Sequence, residues 1–368
     1  MGSQFNGKVA RLQEMNPILP SEGERIATRE FMRRALYDPR YGYYARNVSA
    51  VGGADGDFAT SASLDPGFAA AIARWIESEI AERPEALLGD GDCWHLVELG
   101  GGGGHLAAGV LRELNWKERQ GCLYHLVEIS PVLQSMQRRT LGKRATEVTW
   151  HVTLNAALQA ANGRAIVFSN EFVDAFPTTV IEWDTEHSSW FEVFLENRGG
   201  RKFAEVLLRF RGETAAFSAM DRSRWGNVPL VDGQRCELLA SWREWLLDWI
   251  SNVHAVSMLT IDYGDTFPML YRGQRDGTLR AYRNHRRITG TNIYANAGQQ
   301  DLTVDVNFTD LLHWCEEAGL TTVSFDSQRE FLERFAYRSN GAESSLVSEF
   351  LRDPAGAGEA FRVLSQRK

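Results

Sequence analysis

Glu98 and an unbroken run of glycines give this chain its first chemical signal. The acid sits near the end of a short apolar segment, residues 93–99 (CWHLVEL), and Gly100, Gly101, Gly102, Gly103 and Gly104 follow directly. Glycine serves where a backbone must turn sharply and let a ligand approach closely. Five in succession make pattern matching uninformative, since Gly102, Gly104 and Ala107 even satisfy the degenerate dinucleotide fingerprint. Charge separates the readings. A dinucleotide lays its pyrophosphate on the helix N-terminus, and Glu98 at the strand tip opposes that anion. S-adenosylmethionine has no phosphate there and brings a cationic amine and a sulfonium, which an acid beside the turn helps hold. A second acid, Glu128, closes residues 122–129 (CLYHLVEI), where a carboxylate accepts both hydroxyls of a ribose. The bland alternative is a flexible glycine turn with a solvated Glu98, which loses stability unless a ligand uses it.

A third cluster follows the apolar AIVF: residues 169–177 read SNEFVDAFP. Ligands of open α/β sheets sit at the carboxyl ends of strands, so this loop faces the transferable methyl group. Asn170, Glu171 and Asp174 supply an amide and two carboxylates, a set suited to holding a guanidinium by paired charge-assisted hydrogen bonds. A polar loop in which Asp174 caps a short helix is equally compatible with these residues.

Such groups need a frame that brings strand ends together. From residue 93, strands are predicted at 93–99, 122–129, 148–152 and 165–169, with helices at 105–115 and from the Ser130-Pro131 N-cap to Gly142. This rhythm argues for a doubly wound α/β fold whose parallel sheet is covered on both faces. Residues 1–90 read as a mostly helical lead-in, where Phe68, Ile72, Trp75, Ile76 and Ile80 form one buried helical stripe. After Pro177 the rhythm breaks. Residues 190–195 and 203–210 read as a hairpin, 236–252 as a helix, and 255–263 as a returning strand. An insertion is expected at 264–306, a helix at 308–318, a strand at 321–325, and a polar helical tail from Gln328.

Composition bounds the class. The 368 residues are 43% hydrophobic and 24% charged with net charge −8, a globular chain whose acidity disfavours general nucleic-acid binding. Cys93, Cys122, Cys236 and Cys315 lie far apart, which supports neither a zinc site nor a disulfide framework and fits a reducing compartment. No apolar run approaches the ~18 residues of a membrane span and no signal peptide is legible, so a cytoplasmic protein is expected. Trp242, Trp245 and Trp249 share a helical face, read as core packing in preference to a cage for a cation. Arg280, Arg283, Arg286, Arg287 and His285 form the densest basic cluster, read as a solvated loop, a guide for an acidic partner or an RNA-binding patch. Asp301 and Asp305 are candidates for acceptor recognition or surface turn residues, and His125 reads as a satisfied core histidine.

Taken in order, these segments resemble one family, the MidA-like, NDUFAF7-type methyltransferases. The resemblance runs from about Phe31 to Phe331 and rests on ALYDPRYGYY, GDFATS, VELGGGGG, HLVEIS, VTWH, SNEFVDAFP, IDYG, GTLRAYRNHR and QDLTVDVNF. It implies a class I methyltransferase core using S-adenosyl-L-methionine, with a protein arginine as acceptor and a link to respiratory-complex assembly. Carried over by position, Glu98, Gly100, Gly102 and Gly104 form the cofactor loop and Glu128 binds ribose. Asn170, Glu171 and Asp174 line the acceptor side, while Gly56, Asp57, Phe58 and Thr60 close over the cofactor, and Tyr37, Tyr41, Tyr43 and Tyr44 form either an aromatic lid or a packed turn after Asp38-Pro39. The implied division is a helical region with the lid at 1–90, a first core part at 91–190 and an inserted hairpin and helix at 191–254. A second core part at 255–335 and a helical tail at 336–368 complete it. The family's usual loop is close to ELGPGRG, so Gly101 and Gly103 stand for Pro and Arg; an aspartate common after VTWH is Val152 here. The glycine departures keep a non-catalytic assembly module open beside the enzyme, a nicotinamide-dependent oxidoreductase is the other rival, and a homodimer is one option for the assembly.

Overall fold

Short apolar strands, each stopped by a turn or a capped helix, build the central sheet. The computed structural model describes residues 18–47, 66–88, 93–115, 121–199, 203–284, 286–335, 353 and 357–368. Seven strands are β1 Trp94–Leu99, β2 Cys122–Val127, β3 Val148–His151, β4 Arg164–Asn170, β5 Ala255–Asp265, β6 Thr321–Ser327 and β7 Phe361–Arg367. Their order is β6-β7-β5-β4-β1-β2-β3, and an eighth short strand, Val306–Asn307, runs parallel to the end of β5. β7 is antiparallel to both neighbours; β5, β4, β1, β2 and β3 are mutually parallel. The first eight residues of β5 are buried, as a strand covered on both faces requires.

Helices make that cover. Phe68, Ile72, Trp75 and Ile76 of the helix Pro66–Glu82 pack with Val110 and Leu111 of the helix His105–Glu113 against Leu96 and Phe168. On the other face Leu154, Leu158, Trp242, Trp249 and Trp314 close a second core. Each such large apolar side chain, fully buried, contributes roughly 1.5–3 kcal/mol. Ser130 caps the helix Pro131–Leu141, its hydroxyl accepting the Leu133 N–H at 3.2 Å. The chain leaves β1 toward β2 on one side and returns to β4 on the other, which opens a crevice at the carboxyl ends of β1 and β4.

Two small antiparallel sheets flank this core. The hairpin Ser189–Asn197 and Phe203–Arg209 joins Arg25–Ala27, Thr179–Asp184 and Arg235–Leu238. Arg280–Arg283, Arg286–Ile288 and Asp301–Thr303 form the other within the expected insertion.

Two expectations need correction. The segment 236–252 is not one helix, because Arg235–Leu238 pairs with Thr179–Asp184 and the helix is Ala240–Ile250. The tail is not purely helical: after Gln328–Arg334 and Ala357–Ala360 it ends in β7, seated between β5 and β6. Cys93 is exposed, whereas Cys236 and Cys315 are buried. No helix among the described residues is long and apolar enough to cross a membrane.

Adjacent strands also place three histidines in a row. His95 Nδ1 lies 3.0 Å from His125 Nε2, and His125 Nδ1 lies 2.9 Å from His151 Nε2. Burial, with its two histidine neighbours, pushes His125 down to about 4 from an ordinary 6.5. A depressed folded value stabilises fully above the unfolded one and loses that contribution as pH falls from 6.5 toward about 4. Thermal unfolding across that window should show a steeper drop in Tm for the wild type than for His125→Gln; equal slopes would refute the assignment.

Candidate active site

The crevice at the strand ends is a cavity of about 410 Å³. Its glycine wall is shaped by the backbone: Gly100, Gly102 and Gly104 have φ of +62°, +49° and +85°. Two positions exclude any side chain on steric grounds as well. A Cβ on Gly100 would lie 2.8 Å from the Phe172 ring, and one on Gly104 would lie 2.9 Å from the Gln137 Cα. Gly104 is also the N-cap of the helix His105–Glu113, which aims that helix's first N–H groups at the turn. At Gly101, a departure from the family pattern, a Cβ would meet the Leu126 side chain at 2.6 Å and the Glu98 carboxyl at 3.4 Å. A bare backbone here leaves Glu98 room.

Both predicted acids line this cavity. Glu98 Oε2 accepts from the Tyr124 hydroxyl at 2.6 Å, and burial pushes its carboxyl up to about 7. Glu128 accepts from the Ser130 N–H at 2.9 Å and from Gln137 Nε2 at 3.1 Å. It too is pushed up to about 7 by burial, which those two hydrogen bonds oppose. Ile129, Val152 and Leu154 add an apolar strip beside them, with Ile129 and Val152 more than half exposed.

The loop after β4 splits. Asn170 and Glu171 line the cavity, and Asn170 Nδ2 donates to Glu171 Oε1 at 3.1 Å. Asn170 Oδ1 is buried without a hydrogen-bond partner among the described residues. Glu171 has φ of +52°, a left-handed conformation that costs a non-glycine residue about 1–2 kcal/mol. Asp174 does not line the cavity. It sits in the single turn Val173–Ala175 and faces a buried cluster, where its Oδ2 accepts from Thr303 Oγ1 at 2.7 Å and from the Tyr263 hydroxyl. Burial holds this carboxyl above the usual range.

Other candidates also lie elsewhere. Asp305 pairs with Arg280 at 2.6 Å and Asp301 accepts the Tyr44 hydroxyl at 2.8 Å, so neither reaches the cavity. Arg280, only 8% exposed and stacked over Tyr263, is no part of a solvated basic loop. Tyr37 and Tyr44 do line the cavity, with the Tyr37 hydroxyl held by the Ala175 carbonyl at 2.9 Å. Tyr41 and Tyr43 do not line it. The tryptophan stripe is mainly core, with Trp242 and Trp249 buried, and Trp245 and the edge of Trp249 also reach the cavity wall with Phe172 and Phe176. Asp57, Phe58 and Thr60 lie outside the described residues.

One buried residue escaped the sequence reading. Asp262, inside IDYG at the end of β5, accepts the backbone N–H groups of Phe172, Val173 and Asp174 at 3.1, 2.8 and 3.3 Å. Burial and the neighbouring carboxylates of Asp174 and Glu171 hold it well above the usual carboxylate range. An acid near the end of a strand whose only other polar residues before it are Ser257 and Thr260 was the signal available.

Fold and cavity together define a class I S-adenosylmethionine-dependent methyltransferase. The model of the S-adenosyl-L-methionine-dependent methyltransferase family matches residues 71–325, and the chain belongs to that family. Two relatives are named protein arginine methyltransferase NDUFAF7, mitochondrial. The Drosophila melanogaster homolog is 27% identical over 92% of this chain and 81% of its own. The Danio rerio protein is 25% identical over 92% and 83%. A Burkholderia thailandensis protein solved bound to S-adenosyl-homocysteine superposes with a TM-score of 0.79 at 24% identity, covering 94% of this chain and 88% of that one. The nicotinamide and non-catalytic rivals give way to an enzyme that uses S-adenosyl-L-methionine. The expectation of a cytoplasmic protein is overturned by the relatives' names, which point to mitochondria. Cysteine spacing speaks only to redox environment and carries no address.

Two cavity acids near neutrality give the cofactor affinity a pH dependence. Their ionised fraction grows as pH rises through about 7, so S-adenosylmethionine should bind about tenfold more tightly at pH 8 than at pH 6 and release protons as it binds. Calorimetry in buffers of different ionisation enthalpy reads both quantities. Glu98→Gln should flatten the profile, and a wild-type affinity constant over that range would exclude the acids from cofactor binding.

Proposed function

We propose that this enzyme methylates an arginine side chain of a partner protein, with Glu171 and Asn170 on the acceptor side. The observation that carries the reading is charge. Glu98, Glu128, Glu171 and Asp248 line the cavity, and no lysine or arginine does among the described residues. Four carboxylates suit a cationic ligand and a cationic acceptor at once. The names of the fly and zebrafish relatives support the same acceptor. A component of a respiratory complex under assembly is the setting the family resemblance implies.

When bound, S-adenosylmethionine supplies an electrophilic methyl group on a sulfonium. The residues present fit it: the positive-φ turn at Gly100, Gly102 and Gly104 carries no side chains, with Glu98 for the positive end and Glu128 for the ribose lining the cavity beside it. Asp57, Phe58 and Thr60 complete the proposal as closing residues. Glu171 orients the guanidinium by charge-assisted hydrogen bonds, backed by the Asn170 amide, and accepts the proton the acceptor nitrogen loses. Asp174 keeps only an indirect part, through the shape of the loop. Alignment and exclusion of water supply most of the rate, a contribution of up to about 7–11 kcal/mol in favourable cases.

Tritiated methyl transfer into mitochondrial extract proteins, followed by acid hydrolysis, tests this. The expected label is in methylated arginines. Glu171→Gln should lower transfer about 100-fold or more while S-adenosylhomocysteine binds within about threefold of wild type. Label confined to methylated lysines, or released as volatile methanol from carboxyl esters, would reject the arginine reading.

A further inference from the structure

We propose that Asp262 is a positioning residue that fixes Glu171 for the acceptor, an inference that rests on the guanidinium reading above. Asp262 is fully buried at the end of β5, next to β4 in the sheet. Its Oδ2 gathers the N–H groups of the three residues that follow Glu171, and its Oδ1 accepts the Tyr263 N–H at 3.0 Å. The charges that act on it most are the carboxylates of Asp174 and Glu171, which together with burial oppose its ionisation, whereas the converging backbone N–H groups favour it.

The same strand grips the loop just before this point. The Glu171 N–H donates to the Ile261 carbonyl at 2.9 Å. Glu171 is thus held on its own amide by one residue of β5 and on the three following amides by the next. Between these anchors the backbone must adopt the left-handed turn, φ +52°, that leaves Glu171 in the cavity wall and turns Asp174 toward Thr303. Left alone, a glutamate avoids that conformation. Three hydrogen bonds to one carboxylate oxygen supply what keeps it there.

An amide at position 262 offers one good acceptor and turns an NH2 toward other N–H donors. An alanine offers none. Neither change touches Glu98, Glu128 or the glycine turn. The effect therefore appears on the acceptor side and spares the cofactor side.

The probe is an adenosine amino-acid conjugate in which a nitrogen replaces the cofactor sulfur and carries a short alkyl guanidine. Its neutral urea isostere and S-adenosylhomocysteine are the references, and all three are titrated by calorimetry against full-length protein. The wild type should prefer guanidine to urea by about tenfold or more. Asp262→Ala should reduce that preference to about twofold and Asp262→Asn should lower it at least about threefold, with S-adenosylhomocysteine affinity within about threefold in both. Glu171→Gln should abolish it. If Asp262→Ala fails to bind S-adenosylhomocysteine, Asp262→Asn decides. Full wild-type preference in a binding-competent Asp262 variant, beside its loss in Glu171→Gln, overturns this proposal and leaves the acceptor reading standing. No preference in the wild type removes the acceptor reading itself and this proposal with it.

Discussion

Asp262 and the three amides it gathers tie the two halves of the molecule's chemistry together. β1 and its glycine turn shape one wall of the cavity; the loop after β4 shapes the other. That second wall hangs on a carboxylate contributed by β5, a strand almost 90 residues further along the chain from β4. The arrangement depends on the sheet being correctly ordered, because only β5 beside β4 brings Asp262 under Phe172, Val173 and Asp174. Phe172 in turn packs where a Gly100 side chain would otherwise stand. A single buried group links strand order, loop conformation and cavity shape.

Burying acids has a cost, and the cavity accepts it. Glu98 and Glu128 are both pushed up to about 7, which means that burial disfavours their ionised forms. Groups with raised folded values stabilise most at low pH and lose that contribution as pH rises through about 7. A cationic ligand offsets the loss by pairing with the ionised carboxylates. Near neutral pH, part of the cofactor's binding energy is therefore spent on ionising its own site. The hydrogen bonds from Tyr124, Ser130 and Gln137 keep that expense moderate and hold the oxygens in place.

The sequence made the parallel core legible because its elements carry local signals: apolar strands, a Ser-Pro cap, glycine stops. The two cavity acids were readable for the same reason, each ending a strand. β7 was not. In FRVLSQR only Val363 and Leu364 are strongly apolar and buried, and the neighbouring Ser365 and Gln366 are buried as polar groups. Binary patterning describes a strand as hydrophobic only where its neighbours leave no polar partner. Cys236 and Leu238 likewise suggested a helix with the tryptophans that follow, although they pair across a sheet whose first strand lies more than 200 residues earlier. Long-range pairing leaves no periodic trace.

The misplaced acids share one explanation. Asp174, Asp301 and Asp305 stand in segments that carry the family resemblance, and each suggests ligand recognition from its type alone. Their partners are Thr303 and Tyr263, Tyr44, and Arg280, all within this chain. Asp174 belongs to the loop after β4, Tyr44 to the N-terminal region, and Thr303 and Arg280 to the small sheet between β5 and β6. The polar cluster therefore joins three separately folded segments behind the cavity wall. An apolar contact there would bury area but fix no orientation, whereas paired hydrogen bonds fix the wall to which Tyr37, Tyr44 and Glu171 contribute. Residues that never touch a ligand then carry as specific a pattern as those that do, because they decide where the ligand-facing residues stand.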